Sequence, residues 1–296
     1  MTSLKILDLN RTYLESLPQN LGCLKQLVYL NLAYVPIRRL PPSFTKLVNL
    51  QTLILSRSRI TKLPSDIHKL RSLKCLSLNR CADLQCLPYS IWGLTSLHYF
   101  DIGFCRRLWA KQGGNRICKS VGSLKDLDLG NLAQLKTLRL SDNGQTISDG
   151  TLGKFVHMET LFLNLATMAE LPHDMTDMSK LRRLTLHCPH LVKLLSNFCA
   201  FRNLSYLRMW YCQMLEELPH LHELQSLKQL HIVGCSSLTK LPVELGENNA
   251  FPLLEILSLV ELPHLKELPT LEEGAMSVLQ ILTLMNCEKL EMLPKT

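Results

Sequence analysis

Long apolar runs are missing from this 296-residue chain: nowhere does it approach the roughly 18–20 consecutive apolar residues that a membrane span needs. Its first residues, MTSLKILDL, hold neither a basic stretch nor an apolar segment closed by small residues, so it reads as soluble and not secreted. Charged residues are scarce at 20% and aromatics scarcer at 6%, while 46% are apolar. That balance excludes a disordered tail and predicts a sizeable core. No phosphate cradle of the form G-x-x-x-x-G-K-[ST] occurs, and Gly113-Gly114 reads as a loop pair, so no nucleotide cofactor is expected in this chain. Glycosylation sequons are confined to Asn10 and Asn203.

Cysteine is plentiful by contrast. Eleven cysteines in a short secreted chain would suggest a disulfide framework, but this chain is long enough to bury a core without one, and an odd count leaves a thiol unpaired. The net charge of +8 is uneven: residues 1–150 hold 21 Lys and Arg against 9 Asp and Glu (+12), and residues 151–296 hold 12 against 16 (−4).

Self-similarity organises the whole chain. The pattern L-x-x-L-x-L starts at Leu4, Leu27, Leu50, Leu73 and Leu97, resumes at Leu135, Met158, Leu181, Leu204 and Leu227, and closes at Leu254 and Leu279, mostly in steps of 23 residues. Alternation over its last three letters predicts a short strand with one face buried. A second block follows each strand, as in LPPSFTKL (40–47) and LPYSIWGL (87–94), with apolar positions at the spacing of one or two helical turns. One such unit cannot bury its leucines alone, so units must stack strand beside strand. The prediction is an α/β solenoid, a leucine-rich-repeat horseshoe with a concave parallel sheet of about twelve short strands and short helical or irregular convex segments. At about 4.8 Å per strand the sheet would run roughly 55–60 Å along its arc. It is expected to be one domain over 1–296, with regular repeats at 1–102 and 135–296 and an irregular insertion at about 103–134.

The cysteines follow the repeat. RCADLQCLP (80–88), YCQMLEELP (211–219), GCSSLTKLP (234–242) and NCEKLEMLP (286–294) share one frame. Counting the first strand leucine as position 1, Cys81, Cys105, Cys212, Cys235 and Cys287 fall at position 9, where other repeats carry Thr12, Val35, Ser58, Asn143, Ala166, Pro189 and Leu262. This interchange predicts an inward corner in which a small side chain packs and a weak S–H meets a backbone carbonyl. Disulfides between Cys81 and Cys105 or Cys212 and Cys235 would need matched side-chain vectors as well as proximity. The run HCPH (187–190) lacks a matched fourth metal ligand, and His157, His173, His220 and His222 carry no local nucleophile signature. Neither a metal site nor catalysis is expected.

The frame C-x-x-L-x-x-L-P resembles the leucine-rich repeats of plant intracellular nucleotide-binding leucine-rich-repeat disease resistance proteins, and the likeness covers nearly the whole chain. The 38-residue step from Leu97 to Leu135 is similar to the interrupted repeat found midway along many of them. The resemblance implies a non-catalytic module for pathogen-effector sensing and autoinhibition, located in the cytoplasm with the nucleus as a second site. ADP or ATP would enter only through a separate switch domain of a longer protein. A generic scaffold or signalling adaptor is the alternative. A ubiquitin-ligase substrate arm is a weaker one, since only QTISDGTL (145–152) suggests its repeats.

Two surfaces are candidates for binding. With the leucines inward, positions 3, 5, 7 and 8 face the concave side. There Tyr206, Arg208, Trp210, Tyr211 and His231, with Arg183 one turn earlier, combine aromatics and arginine, the residues that dominate binding hot spots. The second surface is basic: Arg11, Arg57 and Arg80 share position 8 with Tyr34 between them, and Arg38, Arg39, Arg59 and Lys62 lie on the following turns. A row of like charges along a sheet needs compensation, and an acidic neighbouring domain would supply it. No membrane partner is expected, and nucleic acid ranks behind protein because no recognised motif accompanies the charge. The loop residues Arg106, Arg107, Trp109 and Lys111 are a reserve surface.

Overall fold

Twelve strands begin two residues after the first leucine of each repeat, where the alternation places them. They are β1 (Ile6–Asp8), β2 (Tyr29–Asn31), β3 (Thr52–Ile54), β4 (Cys75–Ser77), β5 (Tyr99–Asp101), β6 (Thr137–Asp142), β7 (Thr160–Leu165), β8 (Arg183–His187), β9 (Tyr206–Trp210), β10 (Gln229–Val233), β11 (Ile256–Val260) and β12 (Ile281–Met285). The structure is a computed structural model describing residues 3–108, 131–142, 147 and 150–293. Of the expected insertion, residues 109–130, including Trp109 and Lys111, lie outside the described residues, as does Asn143.

The chain divides into two compact units, Met1–Phe155 and Val156–Thr296. The first carries β1–β6 and the second β7–β12, each set parallel and in sequence order. Ile6 pairs with Tyr29 and Tyr29 with Thr52, so the repeat length is also the pairing register. Tyr99 pairs directly with Thr137, so the long step after Leu97 lengthens a connection and leaves strand order intact.

Position 4 fills the core. Leu30, Leu53, Leu76, Phe100 and Leu138 in the first unit, and Leu184, Leu207 and Leu230 in the second, are fully buried. Each such side chain contributes about 1.5–3 kcal/mol relative to an exposed one. The second blocks are tighter than one or two α-turns: among the described residues they form 3-10 turns such as Pro42–Lys46, Tyr89–Gly93, His173–Asp177 and Val243–Gly246. Pro41, Pro88, Pro172 and Pro242 precede them with φ of −65°, −68°, −60° and −57°, close to the angle the ring imposes. Where consecutive turns touch, space vanishes: a Cβ on Gly22 would lie 2.1 Å from the Ser43 carbonyl oxygen.

After nine of the strands the corner is a left-handed residue at position 8. Arg11, Tyr34, Arg57, Arg80, Phe104, Tyr211, Glu261 and Asn286 have φ between 51° and 62°, and Gly234 has 67°. The turn carries the hydrogen-bond ladder one step further, because the position-8 N–H donates to the position-7 carbonyl of the next repeat: Arg11 to Ala33, Tyr34 to Ser56, Arg57 to Asn79 and Tyr211 to Val233. Position 9 then turns inward. Cys81, Cys105, Cys212 and Cys235 are buried free thiols, as the interchange with small residues implies.

Among the described corners, two repeats depart from this scheme. In those starting at Met158 and Leu181, the residue that fills the corner is Leu165 or Cys188, at position 8 and fully buried, while Ala166 and Pro189 are only half-buried. Neither repeat has a positive φ there. The left-handed residue is omitted, so the inward slot moves up by one.

The thiols meet carbonyls in a regular way. Cys81 Sγ donates to Leu55 O at 3.0 Å, Cys105 to Leu78 O at 3.1 Å, Cys212 to Leu186 O at 3.8 Å and Cys287 to Leu259 O at 3.7 Å. These acceptors are position 6 of the preceding repeat; Cys235 instead meets the Val233 carbonyl of its own repeat at 3.8 Å, and Cys287 also meets Met285 O at 3.5 Å. Burial pushes the Cys81 thiol up to about 11, against the opposing hydrogen bond from Ser58, and burial takes Cys188 to about 12. Both are protonated at neutral pH, and Cys81 is a donor.

Candidate binding faces

Strand pairing in the second unit assembles the aromatic and arginine residues into one patch. Arg183 pairs with Tyr206 in register, and Arg208 with His231. The Arg183 guanidinium lies 4.4 Å from the centre of the Tyr206 ring, and the Arg208 guanidinium 5.0 Å from that of Trp210. Tyr206 and His231 stand 5.3 Å apart, and Trp210 and Tyr211 5.7 Å. All six candidates therefore share one face. Each exposed cation–ring contact is worth about 0.5–1 kcal/mol, so the patch also orders its own side chains before any ligand arrives.

His187 joins this patch, where the sequence had suggested it only as a metal ligand. Its ring is 5.3 Å from Trp210 and 6.1 Å from Tyr211, and its Nδ1 donates to Asn164 Oδ1 at 2.6 Å. Burial lowers the His187 pKa; burial, then Arg208, lowers that of His231. Both imidazoles are neutral at neutral pH, leaving the arginines as the charge of the patch. In the HCPH run Cys188 turns into the core, so the two histidines cannot converge with it on one ion. The signal that would have found His187 is its position 7, beside Trp210 at position 7 of the next repeat.

In the first unit aromatic rings space the charged row and stack on it. Tyr34 lies between two guanidinium groups, 5.0 Å from Arg11 and 5.1 Å from Arg57, and Arg80 lies 5.2 Å from the Phe104 ring. Arg38, Arg39 and Arg59 instead line a separate hollow with Glu15, Pro36 and Pro41. Lys62 bridges its backbone to Cys86. The basic candidates thus divide into a stacked row and a hollow. Arg106 and Arg107 are exposed, and Arg107 reaches Asp83 at 3.5 Å.

A third polar centre escaped sequence reading. Asp101 is only 4% exposed and accepts hydrogen bonds from Asn79 Nδ2 at 3.1 Å, the Tyr99 hydroxyl at 3.2 Å and the Gly103 amide at 2.9 Å. Arg139 adds an ion pair at 3.6 Å. Burial, reinforced by this carboxylate, pushes the Tyr99 hydroxyl up to about 12. The carboxylate is satisfied on several sides and organises the strand face between β4 and β6.

Comparison with known proteins agrees with this architecture. A family model described as "Leucine-rich repeat region" matches residues 1–128. No curated protein sequence gives a significant match. Among solved structures the chain is similar to a leucine-rich-repeat protein of Leptospira interrogans, at 23% identity and a TM-score of 0.62, covering 97% of this chain and 79% of that one. It is similar to the functional domain of InlJ from Listeria monocytogenes, described as including a cysteine ladder, at 20% identity and a TM-score of 0.57, covering 90% of this chain and 58% of that one. A TDR receptor matches at 21% identity with a TM-score of 0.66, covering 96% of this chain and 48% of that one. The chain thus spans about half the length of these last two. The likeness is one of fold, and that fold is a leucine-rich-repeat solenoid. No helix among the described residues is long and apolar enough to cross a membrane.

Proposed function

We propose that the chain is a non-catalytic protein-recognition module whose ligand contacts the patch of Arg183, His187, Tyr206, Arg208, Trp210, Tyr211 and His231. The observation that carries this reading is the interleaving of rings and guanidinium groups on one open strand face, with ring spacings of 5.3–5.7 Å. Preordered aromatic and arginine side chains lose little entropy on binding and bury large contact areas. The repeat frame further supports a cytoplasmic or nuclear sensor of pathogen effectors in plant innate immunity. There the stacked row of Arg11, Arg57 and Arg80 would dock on an acidic neighbouring domain and hold it inactive.

The direct test is binding by a protein captured on the wild-type chain. Trp210→Ala and Arg208→Ala should each cost more than about 1 kcal/mol of affinity. Circular dichroism must show the fold retained. A captured protein whose affinity survives both changes together would move the site off this face. The reading frame upstream of the chain decides the wider role: a phosphate-binding loop supports the receptor, an F-box the ligase arm, and neither supports a scaffold.

A further inference from the structure

Two imidazoles and a buried carboxylate meet away from the strands, in the second blocks of consecutive repeats of the second unit. His220 and His222 flank Leu221, which is fully buried. A residue that points inward sends both neighbours outward, and the two histidine side chains are 81% and 52% exposed. Glu244 is the opposite case. It sits in the 3-10 turn Val243–Gly246 of the next repeat, is 6% exposed, and holds its carboxylate against His220 Nδ1. Burial works to raise its pKa, but the hydrogen bond from His220, the backbone amide and the two imidazoles outweigh it and keep it below the usual carboxylate range.

Ligand atoms of His220, His222 and Glu244 all lie within 4.8 Å of one another. A tetrahedral cation with bonds of about 2.0–2.1 Å holds its ligands roughly 3.3–3.4 Å apart, so the set closes by rotation of two exposed rings onto a fixed carboxylate. Charge favours the same outcome. Glu217 lines the adjoining groove with His220 and Glu244, Glu223 lies 3.8 Å from His222, and Glu247 acts on His220. Lys240 and Arg202 are themselves paired with two of these carboxylates, Glu217 at 3.8 Å and Glu223 at 3.4 Å, so no cation is left facing the site from them and the negative charge they leave unpaired there is that of Glu244 and Glu247.

We propose that His220, His222 and Glu244 bind a divalent transition cation of the zinc type, with water completing the tetrahedron. Two nitrogen donors and a single carboxylate suit zinc, whereas magnesium and calcium require oxygen. The ion would join one repeat to the next through side chains that no backbone ladder connects.

The test is calorimetric titration of the full chain, stripped of metal and of any tag and kept reduced, with Zn2+ and separately with Mg2+. One zinc site is expected and no magnesium site. His220→Ala combined with His222→Ala should weaken zinc binding by about a hundredfold, and Glu244→Gln by about tenfold or more. The double variant also removes the His220 partner of the buried Glu244, so without metal it should melt somewhat below the wild type, and zinc should raise the melting temperature of the wild type alone. Cobalt separates this site from the cysteines: visible bands without a thiolate charge-transfer band are expected. Zinc affinity unchanged in the double variant, no binding at millimolar zinc, or a thiolate band on the bound cobalt would each overturn the proposal.

Discussion

Cys81 shows what a single corner position demands. Its thiol is fully buried, donates to Leu55 O and lies 3.7 Å from Ser58 Oγ in the equivalent slot of the previous repeat. Cys81→Ala removes one weak hydrogen bond and a little volume, and should cost about 1 kcal/mol. Cys81→Asp places an acid in a fully buried slot against the Leu55 carbonyl, with the Ser58 hydroxyl as its nearest side-chain partner. It should cost about 3–5 kcal/mol, since a buried unpaired charge is among the largest single-residue penalties. Urea unfolding of both variants measures this directly, and an aspartate variant as stable as the alanine one would show that the corner admits water. The same residue type was legible in the sequence because the slot alternates among small residues. Its exchange for Leu165 and Cys188 was not, since omission of the left-handed residue leaves no mark except a shorter spacing to the next leucine.

The strand-and-corner element explains why some features could be read and others not. Strand positions were legible because alternation of apolar residues is itself the burial pattern, and all twelve strands start where it places them. The second blocks are legible as helical turns, but that they are 3-10 turns is not, because apolar spacing alone does not distinguish the two helices in such short runs. Contacts between repeats were not legible at all: the stacking of Arg11, Tyr34 and Arg57, the Asp101 network and the meeting of His220 with Glu244 each join residues more than twenty positions apart. Position 8 provides a test of the corner itself. Arg57 has φ of 59°, so Arg57→Val, with a branched Cβ in a left-handed conformation, should lower stability by about 1–2 kcal/mol. Arg57→Gly relieves the backbone but loses the ring contact and loosens the unfolded chain, so it should fall close to the wild type. Equal losses for both variants would mean that the arginine side chain, and not the backbone, sets the cost.

For the whole molecule the decisive quantity is the uneven charge, +12 over residues 1–150 against −4 over the rest. A row of exposed guanidinium groups held apart by rings attracts an acidic surface through long-range Coulomb forces, which a Debye length of about 8 Å at physiological ionic strength screens strongly. Retention on immobilised polyglutamate should therefore fall steeply with added salt. Reversing Arg57 and Arg80 to Glu should weaken retention and flatten the salt dependence, while circular dichroism remains unchanged. A double variant that elutes with the wild type would assign the attraction to the Arg38, Arg39 and Arg59 hollow.

The thiol bonds also give the molecule a direction. Cys81, Cys105, Cys212 and Cys287 each reach back to a carbonyl of the repeat before them, whereas the left-handed corners Arg11, Tyr34, Arg57, Arg80, Tyr211, Gly234 and Glu261 send their N–H forward to a carbonyl of the repeat after. In a chain leaving the ribosome, the acceptor for each new thiol has already been synthesised, but the corner amide at the growing end waits until another turn arrives. The bonding is thus polarised: a turn that reaches back to its predecessor through a thiol still presents an open amide to its successor, so a chain growing from the amino end would carry one unsatisfied edge at a time.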